Sequence, residues 1–119
     1  RLYNLGARKY IVSGIGPLGC IPYQLSNAGS VDGECIASTN KLVLSFNTRL
    51  KDLINNLNSK LPMATIVYLN TYNVVSEIIQ NYQNYGLINI NTACCGSGGR
   101  FKGRVSCLPH SPYCGEDRH

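Results

Sequence analysis

The chain has 119 residues, a formal net charge of +5 and a charged fraction of 14 %. That length suits one domain at most and is small for a complete doubly wound α/β enzyme. No apolar run approaches the roughly 20 residues that span a bilayer, so we expect no stable membrane insertion. The positive charge is spread along the chain apart from Arg100, Lys102 and Arg104, a weak patch that we interpret as a solvated loop, with no nucleic acid partner.

Cysteine is the strongest signal in the composition. An even number of clustered cysteines favours a disulfide framework and an oxidising, secretory compartment. Six cysteines allow 15 pairings, so the connectivity stays open. Our first choice is the pair Cys20 and Cys35, which would close a short loop and contribute about 3 kcal/mol. The disulfide candidates are Cys20, Cys35, Cys94, Cys95, Cys107 and Cys114.

A zinc site is the alternative use of these thiols. The four C-terminal cysteines and His110 are the available ligands. The chain contains no C-x-x-C pair, and the vicinal Cys94 and Cys95 are poorly spaced for one tetrahedral ion. We therefore predict neither a metal nor a cofactor.

The first elements along the chain are a helix end and a strand. Residues 1–5 resemble the last turn of a helix that ends at Gly6. Residues 8–14 follow with a continuous apolar run, which is typical of a parallel strand covered on both faces. A Ser-, Asn- and Gly-rich loop then leads to Cys35, and we expect that 26–33 cannot continue a helix.

A long amphipathic helix is predicted at about 36–61 and is stopped by Pro62. Its apolar positions recur at intervals of three or four. The stripe comprises Leu42, Phe46, Leu50, Leu53, Leu57 and Leu61, widened by Val43 and Ile54. The opposite, polar face comprises Asn47, Lys51, Asp52, Asn55 and Asn58.

A second strand at 64–69 and a helix at about 72–85, ended by Gly86, complete the periodic part of the chain. Two strands joined through a helix form a β-α-β unit with a parallel sheet. Two strands alone leave edges and faces bare, so we expect the N-terminal part of the same domain to cover them. We assign residues 1–119 to one partial domain, with a β-α-β-α core at about 8–86 and a cysteine-rich loop at about 92–119.

The glycines from Gly14 to Gly19 satisfy the G-x-G-x-x-G pattern of a dinucleotide-binding turn. A true site needs a helix starting at the third glycine and an acid after the next strand. Here Pro17 and Pro22 interrupt the segment, and Asn70 follows the strand. We interpret the pattern as a turn and keep nucleotide binding as a remote alternative.

Three runs carry a resemblance to a known family. They are L-Y-x-L-G-A-R-K at 2–9, G-P-L-G-C-x-P at 16–22 and A-C-C-G-x-G at 93–98. In these runs the chain resembles the plant GDSL-type esterase/lipase family of the SGNH hydrolases. The resemblance implies part of a three-layer α/β/α, flavodoxin-like fold. It also implies secretion to the cell wall or apoplast and hydrolysis of ester or lipid substrates by a serine nucleophile.

The family's catalytic motifs, G-D-S, G-x-N-D and D-x-x-H, do not occur in the chain. We expect the first two before Arg1 and the third beyond His119. We therefore predict no catalytic residue here and no activity of this chain alone. A non-catalytic secreted module that retains part of the scaffold is the alternative. Asn70 stands where the family commonly has Asp, which we expect to affect local structure more than chemistry.

An independent catalytic set would have to come from Ser13, Ser97, His110, His119, Asp32 and Asp117. Ser97 lacks the strand-to-helix setting of a nucleophile elbow, and we interpret it and the histidines as loop residues. Ser13 ends a strand, where it is able to line a pocket. Tyr82 and Tyr85, at helical spacing, indicate packing more than substrate stacking.

Overall fold

The computed structural model describes residues 1–105 and 107–110 and contains two parallel strands connected by a long helix. The predicted parallel β-α-β arrangement is confirmed. The strands and helices are β1 Lys9–Ser13, α1 Pro22–Asn27, α2 Ala37–Lys60, β2 Thr65–Leu69 and α3 Thr71–Gln80. Short 3-10 turns occur at Tyr3–Leu5, Leu18–Cys20 and Tyr82–Tyr85.

The two strands pair in register from Lys9 opposite Thr65 to Ser13 opposite Leu69. Backbone hydrogen bonds extend the ladder at the carboxyl end, where the Gly14 amide donates to the Leu69 carbonyl at 2.9 Å. Both strands therefore end at the same edge of the sheet.

Only one face of this sheet is covered by the described part of the chain. Tyr10, Val12 and Ile66 face α2, whereas Ile11 on the opposite face is 77 % exposed and Val67 is 53 % exposed. Side chains alternate between the two faces of a strand, so one crossing helix covers only alternate residues. We expected both faces of the sheet to be covered, and the described residues cover one of them.

The side of α2 that is buried differs from our prediction. Its buried residues are Val43, Asn47 and Ile54, whereas Leu42 is 73 % and Leu53 is 53 % exposed. Asn47, which we placed on the polar face, therefore points inward. At about 100° per residue the predicted stripe spans roughly a third of the circumference, and the buried residues Val43, Ile54 and Asn47 lie at one edge of it instead of at its centre.

Helix α1 was missed by the sequence analysis. Pro22 occupies its first turn, where a missing N–H costs no hydrogen bond, and Leu25 is 1 % exposed. Ser26 and Asn27 complete this helix, so our expectation that 26–33 is non-helical was wrong for these two residues.

Helix α3 ends earlier than predicted, at Gln80. A separate 3-10 turn, Tyr82–Tyr85, continues to Gly86, whose φ of 72° is left-handed. Gly6 ends the first 3-10 turn in the same way, with a φ of 96°. Both glycines therefore end their segments as the sequence predicts.

Two disulfides join described cysteines. Cys20 bonds to Cys35, as predicted, and Cys95 bonds to Cys107. Cys94 is disulfide-bonded as well, and Cys114 lies outside the described residues. Among the helices of residues 1–105 and 107–110, none is long and apolar enough to cross a membrane.

Candidate functional site at the carboxyl edge of the sheet

The carboxyl ends of β1 and β2 form the edge where parallel α/β folds place their ligands. Ser13 is exposed at this edge and donates a hydrogen bond to the carbonyl of Gly14 at 2.9 Å. Its oxygen also forms a short hydrogen bond with the hydroxyl of Thr71. Since the Ser13 proton is directed to Gly14, Thr71 is the donor in that pair. Ser13 is thus held by backbone and hydroxyl groups rather than by a base.

The loop after β1 is held by two asparagine side chains of α2. The Asn47 amide forms two hydrogen bonds with Ile15, accepting from its N–H at 2.8 Å and donating to its carbonyl at 2.8 Å. Nearer the helix start, the Asn40 carbonyl oxygen accepts from the Gly19 N–H at 2.8 Å. One helix therefore positions both ends of the glycine-containing loop.

A third asparagine of α2 forms the same kind of contact with the sheet. Asn58 accepts from the Ile66 N–H and donates to the Ile66 carbonyl, both at 2.8 Å. From the sequence we placed Asn47 and Asn58 on the polar face of the helix, so these contacts were not predicted. One feature of the sequence could have predicted these contacts. Asn40 and Asn47 are seven residues apart, which puts both on one side of the helix with Val43 and Ile54.

The glycine pattern serves packing in this structure. A Cβ atom on Gly14 would lie 2.2 Å from the Tyr68 hydroxyl, so only glycine fits between β2 and the loop. Gly19 is buried within the 3-10 turn Leu18–Cys20 instead of opening a long helix. These contacts support the interpretation of the segment as a turn.

Tyr68 places a polar atom next to this loop. Its hydroxyl is buried and has no hydrogen-bond partner within the described residues. The Lys51 ammonium lies 4.9 Å from the centre of its ring, within range of a cation–π interaction.

Asn70, directly after β2, caps helix α3. Its side-chain oxygen accepts a hydrogen bond from the Asn73 N–H at 3.3 Å. Asparagine and aspartate are equally good at this position, which gives the residue a local structural role.

The 3-10 turn that follows α3 carries two tyrosines. Tyr82 is half-buried and Tyr85 is 52 % exposed, in keeping with packing at a rim. The Tyr85 hydroxyl donates to the Glu77 carboxylate, and this hydrogen bond raises the pKa of Tyr85. The Tyr85 phenol therefore stays protonated, and able to donate this hydrogen bond, to a higher pH than an ordinary tyrosine.

An apolar groove of about 330 Å³ lies beside the same loop. Aliphatic side chains of α3 form one wall, and the loop forms the other. The lining includes Pro17, Leu18, Ile21, Val75, Ile78, Ile79 and Leu87.

The polar residues considered for an independent catalytic set stay apart. Within residues 1–105 and 107–110, no hydrogen bond joins Ser13 or Ser97 to His110 or Asp32. Ser97 pairs through its backbone with Val105, and His110 is an exposed loop residue. His119 and Asp117 lie outside the described residues. No group of three or more His, Cys, Asp or Glu side chains in the described part of the chain is arranged to hold a metal ion.

A crossing helix, parallel strands and a loop at their carboxyl edge define part of a parallel α/β domain. Residues 1–112 match the family model described as GDSL-like Lipase/Acylhydrolase. The chain therefore belongs to this family of ester-hydrolase scaffolds.

Curated relatives match nearly the whole chain. It is 48 % identical to GDSL esterase/lipase 7 of Arabidopsis thaliana, over 96 % of this chain and 31 % of the relative. It is 46 % identical to a second GDSL esterase/lipase of that organism, over 98 % of this chain and 30 % of the relative. The chain thus spans about three tenths of the length of the relatives it matches. No solved structure matches the chain.

Proposed function

We propose that this chain is a portion of a secreted plant ester hydrolase that uses a serine nucleophile supplied by another part of the protein. The single observation that carries the proposal is the family match over residues 1–112. Acyl transfer needs a serine, a base in contact with it and oxyanion donors near one point. Among the described residues, the exposed hydroxyl of Ser13 contacts Gly14 and Thr71 instead of an imidazole.

The role of the chain in that enzyme is structural support of the reacting edge. The asparagine contacts of α2 fix the loop after β1, and the apolar groove beside this loop suits the hydrocarbon part of an ester. The disulfide Cys20–Cys35 anchors the loop to the start of α2 and favours a secretory compartment, in the cell wall or apoplast.

An ester assay tests this function. The 119-residue chain and the full-length protein are each supplied with a short-chain p-nitrophenyl ester. We expect turnover by the full-length protein alone, abolished by a serine-reactive phosphonate. The full-length Ser13→Ala variant should keep its activity, because Ser13 is not the nucleophile. Phosphonate-sensitive turnover by the 119-residue chain would contradict the proposal.

The bare face of the sheet requires a cover, which we assign to the N-terminal part of the same domain. Ile11 and Val67 are large apolar residues exposed side by side on paired strands. In the full-length protein, Ile11→Asp should lower stability by about 2–4 kcal/mol, because a charge would become buried. Met63→Asp is the control, since Met63 is 87 % exposed on a turn. Equal, small effects of both substitutions would mean that this face stays uncovered.

A non-catalytic secreted module remains the second candidate. Reading the transcript on both sides of the coding segment separates the two. A G-D-S reading frame ahead of Arg1 favours the enzyme, and a start codon directly before Arg1 favours the module.

A further inference from the structure

A short hairpin near the end of the described chain, residues 97–105, is held closed by two kinds of bond. Cys95 and Cys107 form a disulfide across its base. Ser97 and Val105 exchange backbone hydrogen bonds at 2.9 and 3.2 Å. We call this segment the basic hairpin.

One set of side chains on the basic hairpin packs against α1. Phe101 is 5 % exposed, and the buried Gly103 donates its N–H to the Ser26 hydroxyl at 3.1 Å. A Cβ atom on Gly103 would lie 2.1 Å from the backbone of Pro22, so the two backbones are in direct contact. The hairpin is therefore a fixed platform on α1.

The alternate residues point outward and are all cationic. Arg100, Lys102 and Arg104 are exposed, and they alternate with the buried Phe101 and Gly103. The sequence showed three basic residues among glycines, and the structure gathers them on the solvent side of one rigid turn. The backbone positions of the three cations are thus set before any partner binds, so binding orders their side chains but not the hairpin itself.

The three cations lie in a stretch of the sequence without acidic residues. Residues 78–115 contain no Asp or Glu. Within the described residues, none of the three cations forms an ion pair. An uncompensated group of like charges attracts polyanions and raises their association rate.

An aromatic surface lies next to the cations. Tyr23 of α1 is 51 % exposed, and with Lys102 it lines a shallow groove of about 190 Å³. Tyr23 and Lys102 therefore supply an aromatic ring and an ammonium group to the same groove. A sugar ring that carries a carboxylate satisfies both surfaces at once, because the ring packs on the tyrosine and the carboxylate pairs with the cation.

We propose that the basic hairpin and Tyr23 bind an acidic polysaccharide whose sugars are uronates. The choice of an extracellular polymer rests on the proposed secretion, whereas the charge and ring arrangement rests on the structure alone. A bilayer surface is disfavoured because Phe101, the aromatic residue of the hairpin, is buried and unable to insert. The site and the apolar groove share Ile21 and Pro22, but Tyr23 and the cations do not line the apolar groove, so the site would hold the enzyme on a polymer without taking part in hydrolysis.

The test measures binding of the full-length protein to polygalacturonate in calcium-free buffer of low salt. The variant Arg100→Gln/Lys102→Gln/Arg104→Gln should bind about tenfold more weakly. For this variant, the slope of log Kd against log salt concentration should be smaller by roughly 1 per removed cation. The matched control, Lys41→Gln/Arg49→Gln/Lys60→Gln, removes three exposed charges from α2 and should change Kd less than twofold.

Further arms identify the recognised chemistry. Tyr23→Ala should weaken polygalacturonate binding several-fold with an unchanged salt dependence, and fully methyl-esterified polygalacturonate should bind at least tenfold more weakly. Ester turnover on a soluble p-nitrophenyl substrate should be the same in all variants, which separates this site from the hydrolase function. Equal losses in the hairpin and control variants would overturn the proposal. Tighter binding to phosphatidylglycerol vesicles or duplex DNA than to polygalacturonate would also overturn it.

Discussion

The asparagine contact between α2 and the loop after β1 yields the sharpest prediction. Asn47 is 4 % exposed, and its amide forms two hydrogen bonds of 2.8 Å with Ile15. Replacement by alanine leaves the N–H and the carbonyl of Ile15 without partners. Each unpartnered group costs about 1–3 kcal/mol, so Asn47→Ala should lower the free energy of unfolding by about 2–4 kcal/mol, with Ile15 partly buried.

The isosteric change Asn47→Asp gives a pH signature. The new carboxylate still accepts from the Ile15 N–H, but it faces the Ile15 carbonyl oxygen where the amide N–H was. The folded state then favours the protonated acid, and its pKa rises above the usual value of about 3.9. A raised folded pKa gives stability that is present below the ordinary pKa and is lost as pH rises through the folded pKa. The deficit of this variant should therefore grow between about pH 4 and pH 7.

Urea unfolding of the full-length protein at both pH values measures these differences. The controls are Asn55→Ala and Asn55→Asp, because Asn55 is exposed on the same helix. They should stay within about 0.5 kcal/mol of the parent at either pH. A loss of stability in Asn47→Ala no larger than in Asn55→Ala, or a deficit of Asn47→Asp that does not change with pH, would contradict this role of Asn47.

Three further substitutions test the neighbouring contacts in the same unfolding assay. Gly14→Ala should cost at least about 2 kcal/mol because its Cβ meets the Tyr68 hydroxyl, whereas Gly16→Ala, whose Cβ has no neighbour nearer than 3.8 Å, should cost less than about 1 kcal/mol. Equal costs would mean that close packing does not select the glycine. Asn70→Ala should lose the α3 cap and about 1 kcal/mol, and Asn70→Asp should stay within a few tenths; a large loss in Asn70→Asp would show that charge matters there. Removing the Cys20–Cys35 disulfide, which links residues 15 apart, should cost about 3 kcal/mol, and an unchanged urea midpoint would contradict its stabilising role.

Local patterns predicted the elements well because helices and strands depend on short-range periodicity. The long helix was predicted at 36–61 and is Ala37–Lys60, and the second strand was predicted at 64–69 and is Thr65–Leu69. Helix α1 escaped because its six residues are too few to establish a period, and Leu25 is its only buried large apolar side chain. A short helix flanked by loop-forming residues therefore gives no periodic pattern in the sequence.

The parallel strand–helix–strand order and the family were predictable from the sequence, since both depend on residue type and spacing along the chain, and Cys20–Cys35 was a first choice that the structure then confirmed. The tertiary structure decided which side of α2 meets the sheet and therefore that Asn47 is buried against Ile15, 32 residues away. It also decided that Phe101 points inward while its cationic neighbours point outward. An apolar period describes how side chains are distributed around a helix, but the direction of burial and the partner of a buried amide depend on residues that are distant in sequence.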